Sequence, residues 1–93
     1  MTVGVLRIEL FISDALSLKD KRAVVKSIIG RMQARFNVSV AEVDRQDAHQ
    51  VATIGVACVS ESSVQANRVL NKVLSFVEKD PRAVVTRCHL ELD

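Results

Sequence analysis

Between Ser17 and Arg35 the chain carries Lys19, Lys21, Arg22, Lys26, Arg31 and Arg35 against Asp20 alone. That is a net charge of +5 in a chain whose total is +2, so the remaining residues sum to −3 and the protein is dipolar. At 3.6 residues per turn Lys19, Arg22 and Lys26 fall together on one flank of a helix, with Arg31 and Arg35 on the other. Lys21 belongs to the same basic run. Closely spaced cations of this kind neutralise phosphates, and Lys19, Lys21, Arg22 and Lys26 are the candidate nucleic-acid contacts, structured RNA being the polyanion considered. The same side chains would also make an ordinary solvated helix face with snorkelling stems.

Other chemistry finds little support. His49 and His89, with Asp44 and Asp47, hold metal-binding atoms, but no H-E-x-x-H, C-x-x-C or dense Asp/Asn loop organises them, so no metal or other cofactor is expected. Cys58 and Cys88 lack a local partner or an activating base and read as reduced core thiols. Gly4, Gly30 and Gly55 fit no G-x-G-x-x-G or phosphate-loop spacing. Glu9 and Glu91, flanked by Arg7 and Arg87, read as a charge ladder rather than an acid and base pair. No catalytic residues and no small-molecule ligand are assigned, and the expectation is a protein without enzymatic activity.

Composition sets the frame for these residues. Ninety-three residues suffice for one domain, 1–93, and leave no room for a second core. With 48% hydrophobic and 26% charged residues the chain can build a modest core. Three phenylalanines, without Trp or Tyr, argue against aromatic base-stacking platforms. Neither a membrane-length apolar run nor a secretory leader pattern is visible, and a cytoplasmic location is expected.

The elements that must position the charges follow from periodicity. Residues 3–12 alternate, with Leu6, Ile8, Leu10 and Ile12 on one face, as in a strand. Ser17 and Asp20 form an S-x-x-D helix start. Leu18, Val25, Ile28, Ile29, Met32 and Phe36 then make an apolar stripe to about Arg35. Asn37 to Asp44 reads as a second strand with a bulge near Val40 or Ala41, and His49 to Val59 as a third. Ser60 or Ser62 caps a second helix, which Asp80-Pro81 ends. A fourth strand starts from Arg82, with Val84, Cys88, Leu90 and Leu92 on one face and Val85, Arg87, His89 and Glu91 on the other.

The order β-α-β-β-α-β is that of ferredoxin-like α+β domains: a four-stranded antiparallel sheet in spatial order 4-1-3-2 with both helices on one face. Strand 1 then separates Cys58 from Cys88 by roughly 9 to 10 Å, beyond disulfide reach. The uncovered face would present Val3, Val5, Phe11, Val51, Ala57, Val59 and Val85 among Arg7, Glu9, Thr53, Arg87, His89 and Glu91. Val5, Phe11, Val51 and Val85 are the candidate interface of a homodimer, the alternative being a mixed solvent-exposed face.

The runs "SLKDKR", "RFNVSVAEVD" and "GVACVS", at their separations within residues 17–60, resemble the signature of the YlxP-like family of small bacterial proteins, catalogued as a domain of unknown function. The resemblance covers essentially the whole chain and implies a ferredoxin-like fold, with Lys19, Lys21, Arg22 and Lys26 matching the family's basic run. Members often carry Gln-Asp-x-Trp near the third strand, where this chain has Gln46, Asp47, Ala48 and then His49. The departure removes a stacking ring. Family genes commonly neighbour those of translation initiation and ribosome-maturation factors, which implies a place near the ribosome by association.

Overall fold

A computed structural model describes all 93 residues. The chain forms β1 (Thr2–Phe11), α1 (Leu18–Arg35), β2 (Ser39–Asp44), β3 (Val51–Ser60), α2 (Ser63–Glu78) and β4 (Val84–Leu92). The strands make one antiparallel sheet in the order β2-β3-β1-β4, the expected order read from its other edge. The period-two pattern of β1 puts Leu6, Ile8 and Leu10 into the core beside Ala52, Ile54 and Val56 of β3. Val25, Ile28 and Met32 of α1, and Ala66, Leu70, Val73 and Val77 of α2, complete that core from the same side. Gly4 lets α2 approach β1, since a Cβ there would stand 2.8 Å from Leu70 Cδ1.

Both helix starts follow from their capping serines. Ser17 Oγ accepts from the Asp20 N–H at 3.1 Å, while Asp20 Oδ2 reaches back to accept from the Leu16 N–H at 3.0 Å. Ser62, rather than Ser60, caps α2, its Oγ accepting from the Gln65 N–H at 3.2 Å.

Two register shifts correct the sequence reading. In β2 the irregularity lies between Glu42 and Asp44, further along than Val40 or Ala41. Val43 is the extra residue, and its methyl carbon sits over Gly55, 3.0 Å from where a Cβ there would be. In β4 a shift between Glu9 and Leu10 of β1 inserts Thr86, so Val85 pairs with Leu10 and Val84 with Phe11. Val84 and Val85 therefore exchange faces. Val85 packs against the core and leaves the candidate interface, while Val84 takes its place on the open face, 60% exposed.

The largest departure is Lys21, which is completely buried (0% exposed). Its Nζ donates to Glu42 Oε2 at 2.9 Å and to the carbonyl oxygens of Arg45 at 2.8 Å, Val51 at 3.2 Å and Gln46 at 3.3 Å. An ammonium has three protons, so one is shared between two of these four acceptors. Lys21 cannot reach a phosphate, and its assignment as a nucleic-acid contact is overturned. A lysine is buried here because a carboxylate and three carbonyls replace its hydration shell. One side chain thereby ties α1 to the turn between β2 and β3, where Arg45 adopts a left-handed backbone (φ 63°).

Lys21→Met keeps the aliphatic stem and strands the Glu42 carboxylate and three carbonyls. It is expected to lower the free energy of unfolding by about 3 kcal/mol, read by urea denaturation; a loss below about 1 kcal/mol would show that water satisfies the turn equally well.

Candidate nucleic-acid interface

Lys19, Arg22 and Lys26 project from α1 as the wheel expects: all three are exposed and none enters any of the chain's ion pairs. The helix positions them because Val25, Ile28 and Met32 face the sheet, which turns this flank to solvent. Arg22 and Lys26 border a shallow depression shared with Gly30, Gln33 and Glu42.

A second basic surface lies between the two helices, and sequence reasoning missed half of it. A groove of about 850 Å³ is lined by Arg31, Arg35, Arg68, Lys72 and Lys79, with Asn67, Asn71 and Ser75 between them. Arg68, Lys72, Ser75 and Lys79 follow spacings of four, three and four, one face of α2 and its end. That spacing was the available signal. At the floor Phe36 and Phe76 meet edge to face, their ring centroids 5.7 Å apart. The guanidinium carbons of Arg31 and Arg35 stand 5.3 Å and 5.4 Å from the Phe76 centroid, within cation–π range.

Asp80 is the one carboxylate lining the groove and it is already engaged. Its Oδ2 receives Arg82 Nη2 at 2.7 Å and lies 3.5 Å from Arg31 Nη1, while Oδ1 receives Arg82 Nε at 3.0 Å. Arg82 also donates through Nη1 to Ser27 Oγ of α1 at 3.1 Å, which fastens the end of α2 to α1. Hydrogen bonding from the Arg82 guanidinium holds the Asp80 carboxyl below the usual carboxylate range, against the opposing effect of burial. Arg35, Arg68, Lys72 and Lys79 have no carboxylate partner.

On the opposite side of the sheet Val5 (43% exposed) and Phe11 (37%) lie open, and Val51 is half-buried opposite Phe11. With Val84 they form apolar patches on either side of a charged band. In that band Arg7 pairs with Asp44 at 3.3 Å, Glu9 with Arg87 at 3.8 Å and Glu91 with His89 at 2.8 Å. Glu9 thus meets Arg87 across the strands as a charge ladder requires, whereas Glu91 stands opposite Val5 and contacts His89, so the two glutamates are not neighbours. His49 lies in the β2–β3 turn, whereas His89 stands opposite Arg7 at mid-sheet, so the two imidazoles belong to different regions. Cys58 and Cys88 are both free thiols, on strands that flank β1. Cys58 is buried as expected, but Cys88 is exposed because β4 is the sheet's edge.

Fold and surface together define a small ferredoxin-like domain with a cationic helix layer. The chain belongs to the family described as "Protein of unknown function (DUF503)", whose profile matches residues 3–90. It is similar to "Uncharacterized protein YlxP" of Bacillus subtilis (strain 168), with 46% identity over 79 residues, covering 85% of this chain and 86% of the relative. Among solved structures it resembles the de novo designed protein Foldit4, with TM-score 0.55 and 14% identity, covering 100% of this chain and 97% of that one. It also resembles a de novo designed ferredoxin-fold protein, LFR1 1, with TM-score 0.50 and 13% identity, covering 99% and 84% of the two chains. The two designs share the fold alone. No helix here is long and apolar enough to cross a membrane.

The lowered Asp80 pKa means that the unfolded chain takes up this proton at a higher pH than the native protein does. The stabilisation is therefore complete above about pH 4 and is lost as pH falls through the native value. Asp80→Asn should be less stable than wild type at neutral pH, with the gap narrowing as pH falls below about 4 in urea denaturation.

Proposed function

We propose that this protein is a non-catalytic cytoplasmic factor that contacts structured RNA, ribosomal RNA foremost, through the basic helix layer. The observation that carries this reading is the exposed, unpaired trio Lys19, Arg22 and Lys26 on a helix of net charge +5. Cations left without carboxylate partners repel one another in the free protein, and a polyanion relieves that repulsion while releasing its own counterions. Lys21 takes no part, so three phosphates, not four, set the electrostatic contribution of this flank.

Three neutralised phosphates give a log–log salt slope of about −2.7, a weakening of roughly 40-fold between 50 and 200 mM salt. Binding to purified ribosomal subunits and to protein-free ribosomal RNA is expected to follow that slope. It should drop sharply in the combined Lys19→Ala, Arg22→Ala, Lys26→Ala variant, with circular dichroism confirming the fold. Salt-independent binding, or binding that survives the triple substitution, would defeat the assignment of this flank.

The open sheet face favours a second reading, a homodimer, which is compatible with the first because the two surfaces point in opposite directions. Arg7 and Arg87 are paired with Asp44 and Glu9 within the sheet, which limits repulsion between two copies, and Val5, Phe11 and Val84 offer apolar area to bury. Light scattering should then give twice the 10.2 kDa chain mass, and Val5→Glu should return it to one; a monomer at high micromolar concentration would reject the dimer.

A further inference from the structure

The groove between α1 and α2 has properties that the α1 flank lacks. It is concave, it carries five cations from two helices, and it contains the chain's one aromatic pair. Arg35, Arg68, Lys72 and Lys79 have no carboxylate partner, and the carboxylate beside them, Asp80, is satisfied by Arg82. Four like charges around one cleft destabilise the free protein, so the arrangement suits an anionic occupant.

The spacing of the charges sets what kind of anion fits. Arg68 and Lys79 are eleven residues apart, or about 16 Å along the helix axis. One phosphate group cannot engage both, whereas a chain with regularly spaced phosphates can engage Arg68, Lys72 and Lys79 in turn. In a duplex the bases are stacked and paired inside, so only a single strand can lay phosphates along the helix and a base on the groove floor at once. Beside the charges Arg35 lies exposed against Phe76, a guanidinium and ring of the kind on which unstacked bases stack. The Asn71 side-chain amide donates to the Asn67 backbone and side-chain oxygens. That leaves the Asn67 side-chain N–H groups and the Asn71 side-chain oxygen without a partner in the chain, on residues that line the groove, so they can pair with a base edge.

We propose that the inter-helix groove holds a single-stranded RNA segment, its phosphates along Arg68, Lys72 and Lys79 and a base against Arg35 and Phe76. This rests on the RNA-contact reading above and extends it. The α1 flank meets the phosphates of a folded RNA, and the groove takes an unpaired stretch of it. An acidic peptide would match the charges but would leave the Arg35 and Phe76 surface without a planar partner.

The test is fluorescence anisotropy of the full chain with fluorescein-labelled octauridylate and octaadenylate, a 12-base-pair RNA duplex and an octaglutamate peptide, with unlabelled UMP as competitor. The octanucleotides should bind more tightly than the duplex or the peptide, and UMP should compete poorly. Combining Arg68→Ala, Lys72→Ala and Lys79→Ala, all at exposed positions, should weaken octanucleotide binding at least tenfold. Phe76→Leu, which keeps an apolar side chain at the floor, should weaken it several-fold. In a 15N-correlation titration with octauridylate the Asn67 and Asn71 side-chain amides should shift. Octanucleotide binding unchanged in the groove variant, octaglutamate binding as tightly as RNA, or UMP competing as well as the octamer would each overturn the proposal. If the flank variant loses ribosomal RNA and the groove variant loses nothing, the groove assignment fails and the flank reading stands. If the groove variant alone loses octanucleotide and ribosomal RNA, the groove assignment stands and the flank reading fails.

Discussion

Lys21 holds the helix layer to the sheet at the point where the chain would otherwise be loosest. The turn between β2 and β3 is six polar or small residues, 45–50, with Arg45 left-handed and little apolar surface to bury. Three of its carbonyls or their strand neighbours, and the Glu42 carboxylate, converge on one ammonium. Removing water from such a centre is costly, and the cost is offset only because every acceptor has the same donor to share. The geometry of β2 depends on it. Glu42 must face the helices for the pair to form, and the bulge at Val43 lets Asp44 turn to the opposite face, where it meets Arg7.

The same centre determines which cations remain for a partner. Of the six on α1, Lys21 is consumed internally and Arg31 is shared between Asp80 and the Phe76 ring. Lys19, Arg22 and Lys26 are left on one flank and Arg35 on the other. Arg35 gains company only because α2 brings Arg68, Lys72 and Lys79 alongside, with Asp80 and Arg82 clamping the helix end to Ser27. The helix layer thus concentrates positive charge, while on the opposite sheet face Arg7 and Arg87 meet Asp44 and Glu9. The two faces differ in their physics: long-range attraction for anions on the helix side, short-range apolar contact on the sheet side.

The element order, the Ser17 cap, the second cap to within Ser60 or Ser62, and the outward flank of Lys19, Arg22 and Lys26 were legible in the sequence. Each depends on local periodicity or on a capping residue within a few positions, which is information a single segment carries. The burial of Lys21 left a trace as well. It lies four residues before Val25 and seven before Ile28, on the apolar stripe, but its charge argued for solvent while its spacing argued for the core.

Tertiary structure decided what depends on two segments meeting. Which acceptors surround Lys21 follows from the β2–β3 register. The exchange of Val84 and Val85 follows from a one-residue bulge against β1, because a shift of one residue reverses every side chain's face. The groove follows from the packing of α1 beside α2, whose cations are scattered on either helix alone and line one cleft only when the core brings the helices together. Periodicity in one segment determines which way a side chain points relative to its own element. Register and packing between segments determine what it points at.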